Sequence, residues 1–326
     1  MSVNEQTAGE GSSPSRQLAS VLGPVGLWTM YLQYLTTPRA AEVLAIVEDA
    51  GMRAVWSGEG ANTKEALTNA AVLLASTKKL IVATGIANIW ARDPVAMAAG
   101  ARLLAEAYPG RFILGMGVSH APNVAARGYD EGVYVRPLTR MRRYLDAMDA
   151  ARLTSPAPAT PPPRLLAALR PKMLRLAAQR TLGAHPFFVT VDHTARAREV
   201  LGPDPVLAPE HAVVLESDRS TARALAADYV DHRLDRENYR NHLLALGFTE
   251  ADLDHGGSDG LFDQVVAWGD VDAIAARVRA HLDAGADHVA VDIIARQGED
   301  FPIDDFLRLA PALRADQLTP ATTGSL

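Results

Sequence analysis

Short apolar runs alternate with longer amphipathic stretches along most of the chain. The runs fall at 25–28, 54–57, 80–84, 112–114, 164–168, 187–190, 212–215 and 288–294, each too short for a helix and suited to a buried strand. Between them, apolar residues recur three and four positions apart. Ala41, Val43, Leu44 and Val47 do so within 38–51, as do Met97, Ala101 and Leu104. Met141, Tyr144, Leu145 and Met148 follow the same rule, and so do Val271, Ile274, Val278 and Leu282. Further helices are expected over 65–76, 171–181, 194–201 and 218–248, the last with a strongly polar middle (His232, Arg236, Asn238, Tyr239, Asn241). Asp93-Pro94 and Asp270 are helix starts, and Gly110 and Gly285 are helix stops. Eight strands alternating with helices predict an α/β fold, the (β/α)8 TIM barrel. An open doubly wound sheet would show a glycine-rich turn after its first strand, where this chain has Trp28-Thr29-Met30.

Residues 1–18 are polar and rich in glycine and serine, and disorder is expected there. One barrel domain is expected over 19–315, with a loose tail from 316 to 326. It is interrupted at 154–163 by TSPAPATPPP, whose five prolines favour an extended connector, a domain linker being the competing reading. The 326 residues would allow two domains, but barrels of this size are commonly one. A hydrophobic fraction of 48% supports a large core. The net charge of −6 argues against a nucleic-acid surface. There is no cysteine, hence no disulfide or thiolate chemistry. The first residues lack an apolar signal core, and no run reaches the roughly 18 apolar residues of a spanning helix. A soluble, cytoplasmic homodimer acting on a small molecule is the expectation, with no nucleic-acid or membrane partner.

Barrel sites lie at the carboxyl ends of the strands, which places 85–88 and 115–120 side by side on one rim. Gly85 and Asn88 also suit a plain strand end and turn. Gly115-Met116-Gly117 is half a dinucleotide fingerprint, but His120 stands where the third glycine would be, so the pair is read as admitting a ring close to the backbone. His120, a loop histidine of ordinary pKa, is a candidate proton donor, or else a hydrogen-bonded loop residue. Arg170, Pro171 and Lys172 open a helix, and a helix start with two cations suits a phosphate. Thr190, closing the sixth apolar run, is placed to touch the same phosphate. His185-Pro186 precedes that run and reads as structural. The nine histidines show no metal-binding pair, and no metal is expected.

ATGIANIWARDP, AMAAGARLLAEAYPGRF and ILGMGVSH, followed by PKMLRLAAQRTLGAHPFFVT and AWGDVDAIAARVRAHLDAGADHVAVDII, resemble in order the bacterial-luciferase-like superfamily. The resemblance is to its branch dependent on coenzyme F420, a deazaflavin, and it spans most of the chain. It implies a cis Gly85–Ile86 peptide in a bulge that backs the cofactor ring, with Asn88 bonded to the ring and Glu59 beside it. In the sugar-phosphate branch a histidine follows the acid and a glutamate follows the glycine pair, where this chain has Gly60 and Val118. Sugar-phosphate oxidation is therefore not expected. The expected activity is hydride transfer between coenzyme F420 and a small organic substrate, with reduction of an activated C=C or C=N bond preferred. His120 and Glu59 are the candidate catalytic residues. Glu59, Gly85, Ile86, Asn88, Gly115, Met116, Gly117, Arg170, Lys172 and Thr190 are the candidate cofactor contacts. An FMN-dependent monooxygenase of the same fold, or a flavin-binding scaffold without turnover, are the alternatives.

Overall fold

The computed structural model describes residues 12–318. Strands Val25–Thr29, Ala54–Ser57, Ile81–Thr84, Phe112–Gly117, Arg164–Leu166 and Gly183–Ala184 lie side by side, all parallel. Residues 206–214 carry the sheet onward. Val206–Leu207 pairs with Gly183–Ala184, Glu210–Val214 pairs with Val289–Ile293, and Val289–Ile293 pairs with Val25–Thr29. The hydrogen-bonded ring thus closes as a (β/α)8 barrel with helices outside.

Local chemistry sets the helix ends where the sequence places them. Asp93 accepts from the N–H groups of Val95 and Ala96, and Asp270 from that of Ala273. Gly110 and Gly285 both turn with positive φ past their helices. The outward faces of the strands pack on the helices through Val55, Val82, Phe112, Leu114 and Val291, all 2% exposed or less.

The barrel interior is aromatic and polar at its middle. Trp56 stacks on His185 with ring centroids 4.4 Å apart, and its indole N–H donates to His288 Nε2 at 3.0 Å. Gly26 is required by that arrangement, because a Cβ there would come within 2.7 Å of His288. Below this layer a helix, Pro14–Leu22, closes the amino-terminal end of the barrel, with Leu18 and Leu22 packed among Ala54, Ile81, Ile113 and Ala290. Arg16 holds it by a two-armed ion pair to Asp287 at 2.6 and 3.1 Å. Positions 14–18 of the expected disordered tail are therefore helical, while residues 1–11 and 319–326 lie outside the described residues.

Two further expectations need correction. The run at 187–190 is a loop, not the sixth strand. Phe188 has φ 56°, and its N–H is taken by the Glu210 side chain, so it cannot join a ladder. The real sixth strand, Gly183–Ala184, is two residues long and leaves no periodic signal. The expected helix over 218–248 is two, Arg219–Leu234 and Glu237–Leu246, with a corner between them. An extra strand, Val266–Trp268, pairs with Glu210–Val214 outside the ring.

Candidate active site

A cavity of about 970 Å³ opens at the carboxyl ends of the strands. One wall is kept flat by missing side chains. A Cβ on Gly85 would lie 2.6 Å from Trp28 Nε1 and 3.2 Å from His185 Nε2, and one on Gly58 would lie 2.6 Å from Met30 Sδ. One on Gly117 would lie 2.7 Å from Ile86 Cδ1. The Gly85–Ile86 peptide is cis, and Trp28 Nε1 donates to Gly85 O at 3.0 Å. Ile86, Ala167, Ala168 and Leu169 continue an apolar surface. A planar aromatic ring is what such a surface accepts.

The acid expected beside the ring is instead built into the back of this wall. Glu59 borders the cavity, but its side chain is 1% exposed. Its carboxylate accepts from the N–H of Asn88 at 2.7 Å and of Ala66 at 3.3 Å, and pairs with Arg92 and, at 3.7 Å, Arg127. Asn88 is likewise buried, its Oδ1 accepting from Trp90 N at 3.0 Å. These two residues fasten the bulge and do not face the cavity. Gly115 serves the sheet, since a Cβ there would lie 2.0 Å from Thr84 O, and Met116 is buried in the outer core. Thr190 is buried as the N-cap of Val191–Leu201, accepting from His193 N at 3.1 Å. Gly85, Ile86, Gly117, His120, Arg170 and Lys172 do line the cavity.

His120 enters after Ser119, which adopts a left-handed φ of 58° and gives its carbonyl to the Tyr134 hydroxyl at 2.7 Å. Its ring lies 5.0 Å from that of Tyr239. Burial first, then the charges of Arg236 and Arg233, push its pKa down to about 4, so the imidazole is uncharged at neutral pH. The near-neutral pKa expected for a loop histidine does not hold. His185 also belongs to the site, because the sixth strand ends just before it. Its Nδ1 lies 2.7 Å from the carbonyl of Ala208 and must donate, which leaves Nε2 a buried acceptor without a partner among the described residues.

Five cations line the cavity: Arg170, Lys172, Arg175, Arg233 and Arg236. Among the described residues none has a carboxylate within 4 Å, although other arginines do, such as Arg198 on Asp287 at 2.6 Å. Arg170 and Lys172 flank Pro171 at the start of Pro171–Arg180, and Arg170 reaches Asn238 Oδ1 at 3.4 Å. Arg233, Arg236 and Tyr239 come from the corner between the two helices. The polar middle of that segment was their one sequence signal, and it carried no hint of a long-range partner. Trp28, His185 and Phe187 gave no such signal.

Among the described residues no group of three or more His, Asp or Glu side chains is arranged to hold a metal, and no helix is long and apolar enough to cross a membrane.

A family model for luciferase-like monooxygenases matches residues 20–288. A Mycobacterium tuberculosis protein with the provisional name coenzyme F420-dependent oxidoreductase is 37% identical over 106 residues. That match spans 32% of this chain and 30% of the relative. Among solved structures, an F420-dependent secondary alcohol dehydrogenase bound to an F420–acetone adduct superposes with a TM-score of 0.71 at 17% identity, over 90% of this chain and 99% of that one. The coenzyme F420-dependent tetrahydromethanopterin reductase of Methanopyrus kandleri gives 0.66 at 15%, over 90% and 99%. The oxygenating constituent of 3,6-diketocamphane monooxygenase from Pseudomonas putida, in complex with FMN, gives 0.66 at 17%, over 89% and 96%.

Proposed function

Since this chain belongs to the luciferase-like monooxygenase family, we propose that it is a coenzyme F420-dependent oxidoreductase acting on a small organic substrate. The observation that carries the reading is the row of four cations, Arg170, Lys172, Arg175 and Arg236, without carboxylate partners among the described residues, beside a flat apolar wall. A deazaflavin has an aromatic ring for the wall and a long tail of phosphodiester and carboxylates for the cations. FMN ends in a single phosphate, which two cations at a helix start would satisfy. The relative from Mycobacterium tuberculosis points the same way.

In this reading Ile86 and Gly117 back the ring, Arg170 and Lys172 hold the phosphodiester, and Arg175 and Arg236 extend the basic track for the tail. When bound, the coenzyme supplies a hydride donor or acceptor at C5. The protein supplies orientation, exclusion of water and a site for the proton. His120 is that site. Uncharged at neutral pH, it is in the form that accepts a proton, and the burial and arginine charges that keep it so also make it a weak base. We take that form as the acceptor in oxidation of a hydroxyl-bearing substrate, the direction opposite to the reduction of a C=C or C=N bond that the sequence predicts. Titrating the protein with coenzyme F420 and with FMN, followed by fluorescence quenching, tests the assignment. Tighter binding of the deazaflavin is expected, and tighter binding of FMN overturns the reading in favour of a monooxygenase.

A further inference from the structure

Arg233 is set apart from the other cations of the cavity by what surrounds it. Its guanidinium lies 3.8 Å from the ring centre of Tyr229 and 5.3 Å from that of Phe187. Phe187 packs on Trp28 at 4.8 Å, and Trp28 holds the carbonyl of Gly85 in the flat wall. A chain of contacts therefore ties Arg233 to the inner end of the cavity, beside the ring surface. Arg170 and Lys172 sit at a helix start whose contact is Asn238.

The guanidinium spends one donor, Nη1, on the carbonyl of Tyr229 at 3.0 Å. Among the described residues it makes no other hydrogen bond and has no carboxylate within 4 Å. Two carboxyl groups influence it from behind, and neither meets it. Both oxygens of Glu210 accept from the Tyr229 hydroxyl, at 2.9 and 3.2 Å, and one also accepts from Phe188 N at 3.0 Å. Burial pushes both carboxyls upward, which weakens their charge opposite Arg233. A half-buried guanidinium with its fork unspent is a site for a planar oxyanion, which it grips with two parallel bonds.

We propose that the substrate is a small carboxylic acid, bound as its carboxylate by Arg233 within reach of His120. The two residues are linked through adjacent rings: the His120 ring is 5.0 Å from Tyr239, and Phe187, under Arg233, is 6.4 Å from Tyr239. A hydroxy acid fits this pair of anchors. The carboxylate takes Arg233, and the hydroxyl takes His120. Oxidation then breaks the carbinol C–H bond, whose electron pair leaves as hydride to the oxidised deazaflavin. It also breaks the O–H bond, whose proton goes to His120, and the C=O bond of an oxo acid forms. This class rests on the deazaflavin reading above; the anion site itself does not.

The test uses the full chain, benzoate, and benzamide as its uncharged match in size, with binding read by calorimetry in the presence and absence of coenzyme F420. Benzoate is expected to bind at least about tenfold tighter than benzamide, and Arg233→Met to remove that preference. Arg233→Lys, which keeps the charge and loses the fork, is expected to weaken benzoate about tenfold and secures the result if the methionine variant does not fold. Deazaflavin affinity is expected to stay within about threefold in either variant. Equal binding of the two probes, or a preference that survives Arg233→Met, overturns the proposal. A tenfold loss of deazaflavin affinity in Arg233→Lys without a benzoate preference in the wild type also overturns it, and assigns Arg233 to the cofactor tail. Benzoate preference in a protein that binds no deazaflavin supports the anion site and overturns the cofactor assignment.

Discussion

Glu59→Gln is expected to damage the fold more than it damages any direct contact with a cofactor. The substitution changes one oxygen to an NH2 at a position where the side chain is 1% exposed and every neighbour is a donor. The remaining oxygen can still accept from Asn88 N, now at 2.7 Å. The new amide then meets Ala66 N–H and the Arg92 guanidinium, neither of which accepts. Breaking a buried ion pair costs about 3–5 kcal/mol, and a hydrogen bond to a charged group is worth about 1.5–3 kcal/mol. Arg92 is not stranded, because Glu65 pairs with it at 2.5 Å, although that side chain is 43% exposed. The cost should therefore fall at about 2–4 kcal/mol. With an unfolding entropy of about 2.1 cal/mol/K per residue, this lowers the melting temperature by about 3–6 °C. Thermal unfolding followed by circular dichroism measures it, and a cycle with Arg92→Met should return a coupling of about 1 kcal/mol or more. A Glu59→Gln protein that melts like wild type while losing cofactor affinity would refute the reasoning and return Glu59 to the cavity.

Gly115→Ala should prevent folding or destabilise by about 3 kcal/mol or more, since the added methyl meets the backbone oxygen of Thr84 at 2.0 Å; urea unfolding checks it. Gly117→Ala meets the end of the Ile86 side chain at 2.7 Å, so it should fold and instead weaken ring binding as Ile86 is pushed inward, seen in the quenching titration. Arg170→Ala and Lys172→Ala should each weaken deazaflavin binding by about 1–3 kcal/mol, less at high salt; wild-type affinity in both at low salt places the phosphate elsewhere. Burial holds His185, His193 and His288 at about 4 and His211 at about 3, against about 6.5 when unfolded. The unfolded chain then binds more protons between these values, so their contribution is flat above about pH 7 and stability is lost as pH falls below about 6.5. Glu210 and Asp292, raised by burial, act with the opposite sign and are outnumbered. The urea midpoint should fall between pH 7 and 5, and a rise on acidification would contradict the burial of these rings.

Local rules carried the reading of the sequence a long way and then stopped at tertiary contacts. Asp93-Pro94 and Gly110 mark a helix because capping is decided within a few residues. Phe187 and Phe188 look like a strand for the same local reason, yet they are spent on Trp28 and Tyr229 across the barrel. His185 changed meaning with the strand: moving the sixth strand ahead of it turned a structural histidine into a wall of the cavity. Glu59 and Asn88 belong to the rim, as read, but the side-chain directions that turn them away from it depend on Arg92 and Ala66. That the five cations of the cavity have no carboxylate partner among the described residues is visible only in space, and no spacing along the chain encodes it.

The helix Pro14–Leu22 under the barrel has a kinetic consequence. With that end stoppered by Leu18 and Leu22 and the middle filled by Trp56 and its histidines, traffic through the barrel is one-way-in, same-way-out. In the proposed function, coenzyme and substrate would then share one doorway. A ring held against the inner wall would arrive first and leave last, with the smaller molecule coming and going over it. Such a corridor writes an order of arrival into the reaction, and substrate crowding the doorway ahead of the coenzyme would stall it.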